Sequence, residues 1–231
     1  MGSRGRLPIE DIFEWDVVNW APAIDFWECE LGRDLNGAKA LEVGARNGGL
    51  SLWLAFRGAE VICSDIKGPT DMAREKHARY GVADRVTYQS VDALHIPYEN
   101  QFDIVAFKSM LGGIRGRHGD DAHIHVINQL YKSLKPGGCV VFAENLAASL
   151  LHRVMREKFV NWSSGWKYLN IEEVNGIFRG FSRFSFKTSG FLGALGRNQR
   201  QRRRLGYLDR YFFNKTTPSK WHYVLICFAV K

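Results

Sequence analysis

Short apolar runs and stretches of helical spacing alternate through the first two thirds of the chain. Residues 39–43, 60–64, 86–90, 103–108 and 139–143 are short, rich in β-branched or aromatic residues, and bounded by turn formers, so they are predicted strands. Between them the spacing predicts helices over residues 49–57, 71–80 and 121–134. Lys135-Pro136-Gly137-Gly138 predicts a turn before the fifth strand, and the glycine-rich segment from Gly112, GGIRGRHGDD, is flexible by composition and is expected to act as a lid or an acceptor-facing loop. Strand and helix in alternation is the pattern of a parallel sheet covered on both faces. Beyond residue 144 a helix is expected near residues 148–160, then an aromatic stretch at 162–168, a second helix at 171–178, and a sixth strand where Phe181, Phe184 and Phe186 alternate. An arginine-rich segment, 193–217, precedes a long apolar strand at 221–230, and residues 9–31 are expected to form one or two helices.

The chain has 231 residues, 45% of them hydrophobic and 24% charged, which suits one globular domain with its own core. The reading divides it into a helical cap (1–37), a central α/β core (38–144), acceptor-side insertions (145–220) and a final strand (221–231). No apolar run reaches membrane-spanning length, and the start MGSRGRLPIEDIFEW has no apolar signal core, so a cytoplasmic location is expected. Arg6 stands where an acylated Gly2 would require Ser or Thr. Cys29, Cys63, Cys139 and Cys227 form no CxxC pair and are expected to be reduced.

The net charge of +8 is unevenly placed. Residues 1–150 hold 16 Lys and Arg against 20 Asp and Glu, and residues 151–231 hold 16 against 4. The excess is densest at Arg197, Arg200, Arg202, Arg203 and Arg204, and it points to an anionic partner or to a solvated basic helix face.

The chemistry-bearing segment is EVGARNGG, residues 42–49, an apolar strand running into a small-residue turn and a helix. Such a turn lets backbone approach a nucleotide-like ligand, and the helix N-terminus presents free N–H groups. The dinucleotide fingerprint GxGxxG is not met, because Arg46 occupies its second glycine position. Glu42, at the mouth of the sheet, would repel a pyrophosphate and suits a cationic ligand such as S-adenosylmethionine (SAM); the alternative is a cap on the loop.

On these residues the sequence resembles the class I SAM-dependent methyltransferases over residues 38–144 and the last strand. Glu42, Gly44 and Gly48 match the family's first motif, an acid, any residue, then Gly-x-Gly-x-Gly, with Arg46 at the middle glycine. Asp65 in VICSD matches the ribose-binding acid, with Ile66 packing on adenine, and Asp92 with Ala93 matches the pair that reads the adenine edge; the alternative for Asp92 is an N-cap. LKPGGCVVFAEN resembles the fifth-strand motif, and WHYVLICFAVK resembles the antiparallel seventh strand. The resemblance implies a Rossmann-like, doubly wound α/β sheet of about seven strands, with the last antiparallel and helices on both faces. It implies a SAM site formed by Trp20, Glu42, Gly44, Ala45, Arg46, Asn47, Gly48, Asp65, Ile66, Asp92, Ala93 and Lys108. Trp20, Phe26 and Trp27 would close over the cofactor, and S-adenosylhomocysteine would be the product.

Acceptor chemistry belongs at the C-terminal ends of strands four and five. Ser109, Asn145, Arg156, Trp166 and Arg197 are the expected acceptor contacts, and Trp162, Tyr168, Phe191 and Trp221 offer further flat faces. His152 is the first choice for a base that removes an acceptor proton and Glu144 the second, against a surface histidine hydrogen-bonded to that glutamate. His118, His123 and His125 have no clear carboxylate partner beyond Asp120 or Asp121, and no metal is expected.

The whole looks like small stand-alone methyltransferases of bacterial surface-polysaccharide and secondary-metabolite clusters. The expected reaction is O-methylation of a sugar or other small hydroxylated acceptor bearing an anionic group. RNA methylation is the alternative suggested by the arginines, although KSML after strand four lacks the N-P-P-Y/F tetrad. A SAM-binding protein without transfer activity is the other.

Overall fold

The computed structural model describes residues 7–159 and 165–231. A seven-stranded sheet organises them: β1 (Lys39–Val43), β2 (Glu60–Asp65), β3 (Val86–Ser90), β4 (Phe102–Lys108), β5 (Leu134–Asn145), β6 (Arg183–Ser189) and β7 (Val224–Val230). Their order is β3-β2-β1-β4-β5-β7-β6. Strands β1 to β5 pair in parallel, whereas β7 runs antiparallel to both β5 and β6. This is the Rossmann-like arrangement expected, with the final strand inserted between its neighbours.

Side chains alternate across the strands, so successive residues feed two cores. Ala40, Cys63, Ile104, Ala106 and Val141 point to one side, toward α3 (Pro22–Leu31) and α4 (Gly49–Phe56). Leu41, Val43, Val105, Phe107 and Phe142 point to the other, toward α6 (Leu111–His118), α7 (Ala122–Ser133) and α9 (Ile171–Ile177). Helix α7 shows why: His123, Val126, Ile127 and Leu130, at i, i+3, i+4 and i+7, are all buried. Each such aliphatic side chain contributes roughly 1.5–3 kcal/mol on burial. Cys63, Cys139 and Cys227 are buried free thiols and Cys29 is exposed.

Two expectations change. The Lys135–Gly138 stretch is an irregularity inside β5, where Phe102 pairs with Leu134 and Ile104 next pairs with Cys139; Gly137 absorbs it at φ 76°. The glycine-rich segment from Gly112 is the helix α6, because its glycines make room for a neighbour. A Cβ on Gly112 would lie 2.0 Å from Trp166 Nε1, and one on Gly116 would lie 1.9 Å from the Gly165 carbonyl oxygen. The arginine-rich segment is also helical: α10 (Gln199–Leu208) continues through a π-helical turn (Asp209–Phe213) into α11 (Asn214–Thr216). The N-terminal region forms α1 (Ile9–Ile12) and α2 (Val17–Trp20) before α3. Helix α8 (Leu150–Phe159) matches the expected one up to Val160, which with Trp162 lies outside the described residues. Phe181 falls short of β6 and packs edge-on against Tyr131.

Candidate active site

Left-handed backbone at alternate positions shapes the loop after β1: Gly44 at φ 67°, Arg46 at φ 47° and Gly48 at φ 65°. Arg46 thus adopts the conformation that glycine takes easily, and its side chain changes the surface of the loop without changing its course. Neighbours hold it there. Arg46 N–H donates to Asp65 Oδ2 at 2.9 Å, and Thr70 N–H donates to the Arg46 carbonyl at 3.0 Å. His77 Nε2–H donates to the Gly48 carbonyl at 2.8 Å, while His77 Nδ1 accepts from the Tyr88 hydroxyl at 2.8 Å. Burial lowers the His77 pKa and favours this neutral, bridging form.

Glu42 lies beneath the loop. Its buried carboxylate accepts from Leu50 N–H at 3.3 Å and from the Ser51 N–H and hydroxyl, both at 2.6 Å. It therefore satisfies the first N–H groups of α4, the capping role considered for it, and is set back from the cavity surface. Burial raises its pKa against those bonds and the pull of Lys108. Lys108 closes β4 with its ammonium 4.6 Å from the Trp15 ring; burial lowers its pKa, opposed by Glu42 and Glu14.

A cavity of about 530 Å³ opens in front of the loop, within the usual range for small-molecule sites. Gly44, Ala45, Arg46, Asn47 and Lys108 line its loop side, and Ser109, Asn145, Arg156 and Trp166 line the rest of it. Ser109, at φ 51°, accepts from Asn145 Nδ2 at 2.6 Å, tying the ends of β4 and β5 together. Arg156 lies 4.0 Å over the Tyr168 ring and donates to the Leu146 and Ala147 carbonyls.

Other expected residues lie elsewhere. Gly48 belongs to the loop but turns toward His77: a Cβ there would lie 2.7 Å from its ring. Asp65 stands at the loop's edge and Ile66, at the end of β2, is 61% exposed. Asp92 accepts from Leu94 N–H at 2.9 Å, the turn-capping alternative, and Ala93 is buried. Trp20 and Trp27 are core residues, with Trp27 Nε1–H donating to the Cys227 carbonyl at 2.9 Å, and Phe26 is buried with them; Trp15 takes the cavity wall instead. Arg197 is away from the cavity, which Arg202 lines.

Neither expected base reaches the cavity. His152 is buried, donating through Nε2 to the Phe191 carbonyl and accepting at Nδ1 from the Ser149 hydroxyl, both at 2.7 Å. Both ring nitrogens are engaged, and burial lowers its pKa. Glu144 is fully buried and accepts from the Met110, Leu111 and Asn145 N–H groups, which anchors the start of α6; burial raises its pKa to about 7. The three loop histidines do not converge: His123 is buried in α7 and His125 donates to the Leu94 carbonyl. Among the described residues no His, Cys, Asp and Glu cluster is arranged for a metal ion.

Sequence reasoning missed the cavity's second wall, formed by Glu14, Asp16, Gly193, Ala194, Arg202 and Tyr223. Asp16, at φ 46°, is buried, and its carboxylate accepts from the Tyr223 hydroxyl and from Asn19 Nδ2. Asn19 also donates to Tyr223 at 2.8 Å and to Asp209 at 3.1 Å, while Asp209 accepts from the Leu192 and Gly193 N–H groups. Burial lifts Asp16 from the ordinary 3.8 to about 7, opposed by those donors and by Arg202. The residues of this network are up to 207 positions apart, so no local motif announces it.

The sheet order with its inserted antiparallel strand and the glycine loop at the C-terminal end of β1 are the architecture of the class I SAM-dependent methyltransferase fold. Residues 41–142 match a family model described as a methyltransferase domain. Over 122 residues the chain is 32% identical to methyltransferase GfsG of Streptomyces halstedii, covering 51% of this chain and 41% of the relative. It is 34% identical over 110 residues to the ubiquinone biosynthesis O-methyltransferase of Azotobacter vinelandii, covering 47% of this chain and 45% of that one. The matched part thus spans less than half the length of these relatives. Among solved structures, phosphoethanolamine N-methyltransferase 2 of Haemonchus contortus, in complex with SAM, superposes with a TM-score of 0.63 at 20% identity, over 92% of this chain and 52% of that one. The architecture is shared at that distance. Among the described residues no helix is long and apolar enough to cross a membrane.

Arg46→Gly tests the loop. Relief of left-handed strain and the added freedom of the unfolded chain offset each other, so the melting temperature should stay within a few degrees. SAM affinity, measured by calorimetry, should fall about tenfold with loss of a cation from the cavity wall. Collapse of the fold in this variant would contradict the role given to the loop.

Proposed function

We propose that this chain transfers a methyl group from SAM to a hydroxyl of a small acceptor that carries an anionic group, leaving S-adenosylhomocysteine. One observation carries the reading: a single cavity joins the Gly44–Asn47 loop to a wall built from Asp16, Arg156, Arg202 and Tyr223. The loop side fits SAM. Gly44 lines the cavity with backbone alone, and Arg46 and Lys108 supply cations for a carboxylate. By the family resemblance, Asp65 at the loop's edge would accept from ribose hydroxyls and Ile66 would pack on adenine. SAM supplies an electrophilic methyl group on a sulfonium.

The chain's own residues do the rest. Alignment of acceptor and donor in one cavity removes much of the entropic barrier. Arg156 and Arg202 face an anionic substituent, and Trp166 with Tyr168 provides flat walls. Asp16 takes the hydroxyl proton: as a carboxylate it has lone pairs beyond those used by Tyr223 and Asn19, and Tyr223 stays a protonated donor because burial raises its pKa well above 10. The sequence relation to an O-methyltransferase supports oxygen as the acceptor atom.

Calorimetry of the whole chain with SAM and with S-adenosylhomocysteine tests the donor half. Saturable binding of both is expected, and its absence would remove the proposal. Turnover on phosphorylated or carboxylated hydroxy compounds, set against their neutral analogues, tests the acceptor half; the anionic forms should have the lower KM.

A further inference from the structure

Helix α10 and its continuation have one face fixed and one face open. Gly206 packs on α2, where a Cβ would come within 2.8 Å of Val18 Cβ, and Asp209 is buried in the Asn19 network. Arg202, on the same inner side, donates to the Gly196 carbonyl and lines the cavity. The outer side repeats at helical spacing: Arg200 and Arg204, then Leu208, Tyr211 and Phe212, then Lys215. All are exposed, with Leu208 at 52%, Tyr211 at 69% and Phe212 at 58%.

The apolar surface extends beyond this helix. Phe212 contacts Phe213, Phe213 stacks on Phe191, and Phe191 stacks on Trp221. Trp221 shares a groove with Leu150, which is 75% exposed. Leu151 and Val154 of α8 are exposed as well, and Arg153 and Lys220 border the same groove. Glu10 and Glu14 face Arg203 and Arg210 across a separate groove on the inner flank. A soluble surface rarely carries so many large apolar side chains together, and a patch of this kind marks an interaction site.

We propose that this face docks on an anionic lipid surface, with the arginines at the phosphates and Leu208, Tyr211, Phe212, Trp221 and Leu150 in the headgroup boundary. Basic residues beside exposed aromatic and aliphatic ones on a surface helix are what interfacial binding requires. Exposed leucines distinguish this face from a nucleic-acid groove, where stacking rings and cations suffice. Docking would set the cavity beside the membrane surface, because Arg202, Gly193 and Ala194 belong to the same segment.

Co-sedimentation of the whole chain with vesicles of phosphatidylglycerol and phosphatidylcholine in equal parts, and of phosphatidylcholine alone, tests the proposal. Binding to the anionic vesicles only is expected. At about 1 kcal/mol for each basic residue near the surface, Arg200→Gln and Arg204→Gln combined should weaken it about 30-fold. Leu208→Ser, Tyr211→Ser and Phe212→Ser combined should also weaken it and leave a residue of binding that about 0.5 M salt abolishes. Trp221 reports insertion: a blue shift of fluorescence on vesicle binding should be lost in Trp221→Phe. Circular dichroism and SAM affinity should be unchanged in all these variants, since every position is on the surface. Absence of vesicle binding, equal binding to both compositions, or binding to single-stranded RNA in place of vesicles would overturn the proposal.

Discussion

Asp16→Asn should reduce kcat about 10²- to 10⁴-fold, the range that a positioned base contributes, while SAM affinity changes little. The wild-type rate should rise with pH through about 7, where Asp16 ionises in the folded protein, and this limb should vanish in the variant. Stability should move the other way. Burial raises the Asp16 pKa from 3.8 to about 7, so the folded state holds a proton that the unfolded chain releases. That contribution is complete below pH 4 and is lost as pH rises through about 7, roughly 4 kcal/mol in all. Asp16→Asn carries no such charge, and its denaturation midpoint should therefore decline less between pH 4 and pH 8. A slow variant with the wild-type pH limb would assign the proton to another group. Tyr223→Phe, which removes a donor to the carboxylate, should raise the pH of the limb further while retaining measurable turnover.

The second large effect is expected at Gly49. A Cβ there would lie 2.2 Å from the carbonyl oxygen of Ile12, which is backbone and has no rotamer to yield. Gly49→Ala must therefore displace α1 from the start of α4. The displacement also disturbs Glu14, whose Oε1 accepts from Asn47 Nδ2 at 2.6 Å, and Trp15, which covers Lys108. Overpacking of this kind typically costs about 1–3 kcal/mol and more where backbone must move. Chemical denaturation should show a loss at or above the top of that range, and SAM affinity should fall with it because the cap and the loop share these contacts. Gly176→Ala is the matched control: it changes another helical glycine that has no left-handed φ and nothing within 4 Å of its Cβ, so it reports the effect of the methyl group on the backbone alone. If the two variants lose equal stability, the close approach of Ile12 is not what makes Gly49 necessary.

Much of the donor side was legible because it is local. The strand, the turn and the helix start that make the loop are contiguous in EVGARNGG, and apolar alternation placed β1 to β5 to within a few residues. Arg46 departs from the glycine pattern in side chain only, and that became visible through its φ of 47°. The acceptor side was harder. Glycines in GGIRGRH suggest flexibility to a local reading, yet they form α6, because Trp166 needs the space that side chains there would fill. His152 and Glu144 fall on the expected helix and strand end, and burial together with complete hydrogen bonding removes them from the cavity.

The sequence by itself determined the sheet and the loop at its C-terminal edge, because period-two and period-3.6 patterns and turn residues act over short spans of chain. Only the tertiary structure decided which side chains line the cavity. Asp16, Arg202 and Tyr223 come from the cap, the arginine-rich helix and the residue before β7, and they meet only when β7 slots between β5 and β6. Their proximity follows from packing across the whole fold, and so does the perturbed carboxyl group to which it gives rise.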